Sequence, residues 1–183
     1  MGKSLIMGTI FGAIILFAWI AFSWMVLPWH CTPLKKFADE NSVAAIIMSN
    51  TTDDGIYVLP NLCGDEGRAE QNMEASEKGP LVFTTVRRDG YDFSSPKPYI
   101  ISLVIQLIGA FFVTYLLLQI RESTYWERVW FVTAFGIAAG VLAAFPNWNW
   151  WGFTFDYALV EFLDFVIGWF LAGLALAAVT RRV

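Results

Sequence analysis

The sequence predicts an all-α membrane protein: a four-transmembrane-helix bundle with a small extracytoplasmic αββ cap between helices one and two. Three observations predict it. Apolar runs extend roughly over 5–27, 99–120, 129–145 and 157–180, each near the about 20 helical residues that cross a hydrocarbon core about 30 Å thick. Charged residues are only 15% of the 183, below the roughly 25% of soluble domains, and they gather between the first two runs. The basic residues beside the runs fall on a consistent side, as insertion requires. A hydrophobic share of 57% and a mean hydropathy of +0.54 agree with this class.

Residues 1–28 form a cytoplasmic N-terminus and the first span, which ends Trp24-Met25-Val26-Leu27-Pro28-Trp29-His30. Proline stops the helix there and the two tryptophans flank the membrane interface. The run is longer than a signal peptide's apolar region of about 7–15 residues and no small-x-small site follows it, so it is expected to stay as a signal anchor.

Residues 29–98 form the cap. Asp39 is positioned to cap a short helix through Met48. Ile56-Tyr57-Val58-Leu59 and Leu81 to Arg87 have strand composition and are expected to pair, with the helix covering one face of the ribbon. The polar, acidic, glycine-bounded stretch 64–79 reads as a mobile loop. So few strands are marginal in water alone, so the cap is expected to rest on the bundle or on a partner.

Residues 99–183 hold spans two to four and a cytoplasmic C-terminus. Small residues four apart let helix backbones approach in lipid. Gly8 and Gly12, Gly136 and Gly140, and Gly168 and Ala172 form such stripes, read first as packing within one bundle and second as a face for another copy. Trp148, Trp150 and Trp151 follow the third run. With Trp24 and Trp29 they are expected as interfacial anchors, residues 146–152 lying flat at the headgroup level.

Orientation follows from Lys3, Arg121, Arg128, Arg181 and Arg182, which place both termini in the cytoplasm. The loop 146–156 has no lysine or arginine. The shallow net charge of −4 leaves no basic stripe to meet a nucleic-acid backbone. No phosphate-binding Gly-x-x-x-x-Gly-Lys, nucleophilic Gly-x-Ser-x-Gly or zinc-binding His-Glu-x-x-His occurs in the sequence, so no enzyme class, cofactor or metal is expected.

Glu161 and Asp164 are the chemically awkward residues. Counting about 20 residues back from Arg181 puts Glu161 at the membrane edge and Asp164 about one turn inside. They share a face with Gly168 and Ala172, which turns them toward the bundle. A carboxylate there is costly unless partnered. One reading is a proton or cation site; the favoured one has the carboxyls bonded to Asn147, Asn149, Lys97 or the indoles of 148–151. Gln106, Thr114 and Thr133 are the only deeper polar groups that this count allows, with no buried basic partner.

Cys31 and Cys63 are the only cysteines, both on the exported side. They read first as a disulfide closing a loop of about 30 residues, then as free thiols, and last as metal ligands with His30. His30 itself, the single histidine, reads as an interfacial side chain bonded locally.

Ser23 to His30, then Gly55-Ile56-Tyr57-Val58-Leu59-Pro60-Asn61 and Gly79-Pro80-Leu81-Val82-Phe83, resemble a group of uncharacterised bacterial membrane proteins over about half the chain. The resemblance implies a bacterial inner membrane and no activity. The expected function is therefore a non-enzymatic accessory, scaffold or assembly component, whose partners are the lipid bilayer and another envelope protein or a second copy. The alternatives are a small transporter or proton-coupled protein using Glu161 and Asp164, and a periplasmic thiol or metal handler.

Overall fold

A computed structural model describes residues 2–61, 63, 68–120 and 122–180. In chain order the elements are helix α1 (Gly2–Met25), a 3-10 turn (Pro28–His30), α2 (Glu40–Asn50), strand β1 (Gly55–Leu59), α3 (Ala69–Lys78), β2 (Val82–Val86), α4 (Pro96–Gln119), α5 (Tyr125–Trp151) and α6 (Phe155–Val179). Helices α1, α4, α5 and α6 are long and apolar enough to cross a membrane. At 1.5 Å per residue their 24, 24, 27 and 25 residues exceed the hydrocarbon thickness. The protein is thus an all-α, four-span bundle with a two-stranded insert. Arg121, Arg181 and Arg182, part of the orientation argument, lie outside the described residues.

The chain divides into two units, the bundle (up to Leu34 and from Ser94 onward) and the insert (Lys35–Phe93). The expected boundary at residue 29 moves because Pro28 starts a 3-10 turn, which holds Trp29 and His30 against α1 and α6. That shift brings a histidine into the bundle.

Within the bundle α6 packs along α5 and α1, and α1 packs on α4, while α4 and α5 touch far less. Leu16, Val113, Leu117, Val132, Trp169, Ala172 and Leu176 form the buried core. The small residues lie where helices come closest. A Cβ on Gly136 would stand 2.5 Å from Trp169 Cβ and 2.9 Å from the Phe165 carbonyl, and one on Gly140 would stand 2.9 Å from Phe165 Cβ. Gly8 faces Thr114, Gly12 faces Ala110, and Gly168 faces Trp19. Ala172 is fully buried. All of these contacts are within one chain.

Helix α5 starts with a capping box in which Thr124 and Glu127 satisfy each other's backbone N–H groups. It continues through Pro146 to Trp151, so residues 146–151 are the last turns of the helix. A proline within a membrane helix is tolerated where neighbouring groups or local backbone adjustment re-satisfy the freed carbonyl. The helix ends where Gly152 takes the left-handed conformation (φ 71°) and donates to the Asn147 carbonyl. Trp148, Trp150 and Trp151 are exposed on this last turn. At the opposite end Arg128 is buried and donates to the Thr180 carbonyl at 2.7 Å and its hydroxyl at 3.1 Å. This puts a cation at the carbonyl end of α6, where the helix dipole favours it.

In the insert, β1 and β2 pair antiparallel from Gly55↔Val86 to Leu59↔Val82. Asp39 caps α2 by accepting from the Ser42 N–H at 3.1 Å, and the Ser42 hydroxyl and amide hold its carboxyl below the usual aspartate range. The expected cover of the ribbon by α2 is absent: α2 buries no residue, and Ile46 and Met48 are exposed. It is tied instead by Arg88, whose guanidinium donates to the Met48 and Thr51 carbonyls and whose backbone N–H donates to Asp54. The expected mobile loop 64–79 is largely the helix α3; residues 64–67 of it lie outside the described residues. The stretch is polar throughout, yet Glu70, Gln71, Met73, Glu74 and Ala75 are good helix formers. Lys78 also pairs with Glu74 one turn back, and Gly79 (φ 73°) ends the helix.

Candidate functional site

The site begins with the exit of α1. After Met25 the chain makes one tight turn at Pro28, whose fixed φ suits the first position of a helical turn. This reversal lays His30 beside Ser23, seven residues earlier on the last turn of α1. Asp164 comes from the third turn of α6, on the face that packs against α1. Ser23, His30 and Asp164 are 0%, 1% and 6% exposed.

Their hydrogen bonds form a closed triangle. The Ser23 hydroxyl donates to Asp164 Oδ1 at 2.6 Å. His30 Nε2 lies 2.9 Å from Asp164 Oδ2 and 2.9 Å from Ser23 Oγ. The Trp29 indole N–H donates to Ser23 Oγ at 2.9 Å. Since the serine proton goes to the carboxylate, Nε2 carries a proton and donates to Asp164 Oδ2. The Trp24 ring stacks on the imidazole at 3.8 Å with 14° between planes, and Trp29 meets it edge-on. His30 Nδ1 is buried without a partner.

This cluster is not built for acyl transfer. In a nucleophilic triad the imidazole bridges serine and carboxylate through its two different nitrogens. Here both oxygens address Nε2, and the serine oxygen already accepts an indole N–H. What the arrangement does is hold a carboxylate inside the bundle, with a hydroxyl and an imidazole satisfying its two oxygens.

A cavity of about 380 Å³ adjoins the cluster. Its polar lining is Glu161, Asp164, His30, Gln106 and Asn147, and its aromatic walls are Trp19, Trp24, Phe165 and Trp169. Glu161 shares a hydrogen bond with Tyr157 one turn back on α6. Trp169 marks the blind end: its ring belongs to the buried core and fills the space between Gly109 of α4 and Gly136 of α5. Beyond it the core is mainly apolar, from Val113 and Val132 to Leu176, with the buried hydroxyls of Thr114 and Thr133 beside them.

Glu161 and Asp164 therefore come together as the sequence spacing suggests, but two expectations about them are corrected. Asp164 does have a buried basic partner, His30, and His30 is a core residue of the site rather than an interfacial side chain. The indole that reaches the cluster belongs to Trp29. Ser23 was missed altogether. The available signal was depth: Ser23 and His30 close the first span at the same level at which Glu161 and Asp164 open the fourth. Cys31 and Cys63, the candidate bridge, are exposed free thiols. Among the described residues no three His, Cys, Asp or Glu side chains converge as a metal site.

Compared with known proteins, the chain matches no family model, no curated protein and no solved structure.

Proposed function

We propose that this is a small solute-binding protein of the transport class in a bacterial inner membrane, with Glu161 and the Asp164–His30 pair forming the polar wall of its pocket. The observation that carries the reading is the continuity of the cavity from both carboxylates to Gln106. Ionisable groups inside a bundle are costly to keep and are characteristic of solute and proton pathways. A bundle serving only as a scaffold has no need of a cavity at that level. The positions of Lys3 and Arg128, together with the arginines at 121, 181 and 182, support cytoplasmic termini and hence a pocket opening on the exported side.

The test is access. With Cys31 and Cys63 replaced by serine, Gln106→Cys is expected to react with a membrane-impermeant maleimide added outside intact cells. An unreactive Gln106→Cys in correctly folded protein would overturn the reading. An accessory or assembly role is the second reading, favoured by the exposed apolar side chains Phe37, Ile46, Ile56 and Met73 of the insert. Purification as a lone protein after gentle solubilisation counts against that role.

A further inference from the structure

We infer that the pocket takes an organic ammonium group, either as a free amine or as the headgroup of a lipid. This rests on the pocket reading and adds the ligand's chemistry.

The charge of the lining comes first. Two carboxylates face the cavity and the one basic side chain there, His30, is already paired with Asp164. Glu161 makes no ion pair among the described residues; its hydrogen bond is to Tyr157, and it shares the one imidazole, His30, with Asp164, so two acids face a single basic group. A cation suits such a lining, whereas an anion would meet both acids.

The walls then choose the kind of cation. Trp19, Trp24, Phe165 and Trp169 offer ring faces or edges around the space, and indole faces attract ammonium ions through the ring quadrupole. A bare metal ion wants several hard or ionised ligands at short range, and no such group converges among the described residues. The cavity, about 380 Å³, also far exceeds what one ion needs and falls in the range of small-molecule sites.

The neutral polar groups agree. Asn147 turns its amide nitrogen to the Ala143 carbonyl, which leaves its side-chain oxygen as an acceptor on the lining. Gln106 adds a second carboxamide to the lining from α4. Glu161 and these two carboxamides can accept the N–H groups of a primary ammonium. Two lining residues keep buried nitrogens with no protein partner, His30 Nδ1 and Trp19 Nε1. Both nitrogens are closed off from the space, Trp19 Nε1 lying against Gly168 of α6, so the acceptors above alone select the ligand. Ethanolamine, a primary amine on a two-carbon chain, is the simplest probe of them.

The test uses the full-length protein in detergent. Ethanolamine is titrated while tryptophan fluorescence is followed, with neutral N-acetylethanolamine as the control. In parallel, native mass spectrometry follows retention of phosphatidylethanolamine. Saturable quenching by ethanolamine and not by its acetylated form supports the inference with a free amine as ligand. Selective retention of the lipid, lost in Glu161→Gln, supports it with the headgroup as ligand. Glu161→Gln is expected to weaken either interaction about tenfold or more, the scale of one charged hydrogen bond. Glu161→Asp, which keeps the charge, retains part of it and serves if the glutamine variant fails to fold. Failure of both probes, equal binding of the acetylated control, or unchanged binding in both Glu161 variants overturns the inference. If Gln106→Cys still reacts with the maleimide while both probes fail, the ammonium assignment falls alone and the pocket reading stands.

Discussion

At the residue scale the decisive fact is that Asp164 is buried and fully engaged, whereas Glu161 borders open space. Removing one partner of a buried pair costs about 3–5 kcal/mol because the other is left without compensation. Asp164→Leu removes the acceptor shared by the Ser23 hydroxyl and the His30 Nε2–H and leaves them only each other, so its thermal midpoint in detergent is expected to fall well below that of Glu161→Leu. Equal midpoints for the two variants would refute the assigned burial. The carboxylates themselves were readable, because two acids three apart at the mouth of an apolar run stand out. Their partner was not. Nothing in the string Leu27-Pro28-Trp29-His30 says that the chain doubles back; only the packed position of the turn against α6 makes His30 a neighbour of a residue 134 positions away.

At the element scale α5 and α6 are joined by backbone proximity at Gly136 and Gly140, with Trp169 and Phe165 laid over the gaps. Gly136→Val has nowhere to place its branches without moving Trp169 or the Phe165 carbonyl. It is expected to destabilise the bundle by about 1–3 kcal/mol, the usual cost of overpacking, and to disturb the pocket floor as well. A melting midpoint and a maleimide rate at Gln106→Cys both equal to those of the parent would contradict this. The helices were legible from apolar length, and the strand pair from β-branched and aromatic composition bounded by glycine and proline. Two boundaries were not. Pro146 looked like the end of a span, but α5 runs on through it and stops only at Gly152, whose left-handed conformation closes the helix. Residues 69–78 looked like a solvated loop because they are polar, and polarity alone does not separate an exposed helix from a loop.

At the scale of the whole molecule the bundle has two unlike halves. The end where α1 finishes is hollow and carries the ionisable groups, and the rest, from Trp169 to the Arg128–Thr180 contact, is packed and mainly apolar, with threonine hydroxyls buried between. The twelve residues from Trp169 to Thr180 span about 16 Å of helix. An insulating layer of that kind is where a transmembrane voltage drops, while a water-filled vestibule stays near the potential of its own bulk phase. A charge entering the vestibule therefore traverses little of the field, whose full value is about 2.3 kcal/mol per elementary charge per 100 mV. Ethanolamine affinity in oriented proteoliposomes is expected to change by less than about twofold when a 100 mV potassium diffusion potential is imposed. A shift of about fiftyfold, the full-field value, would mean that the electrical barrier lies outside the hollow rather than beneath it.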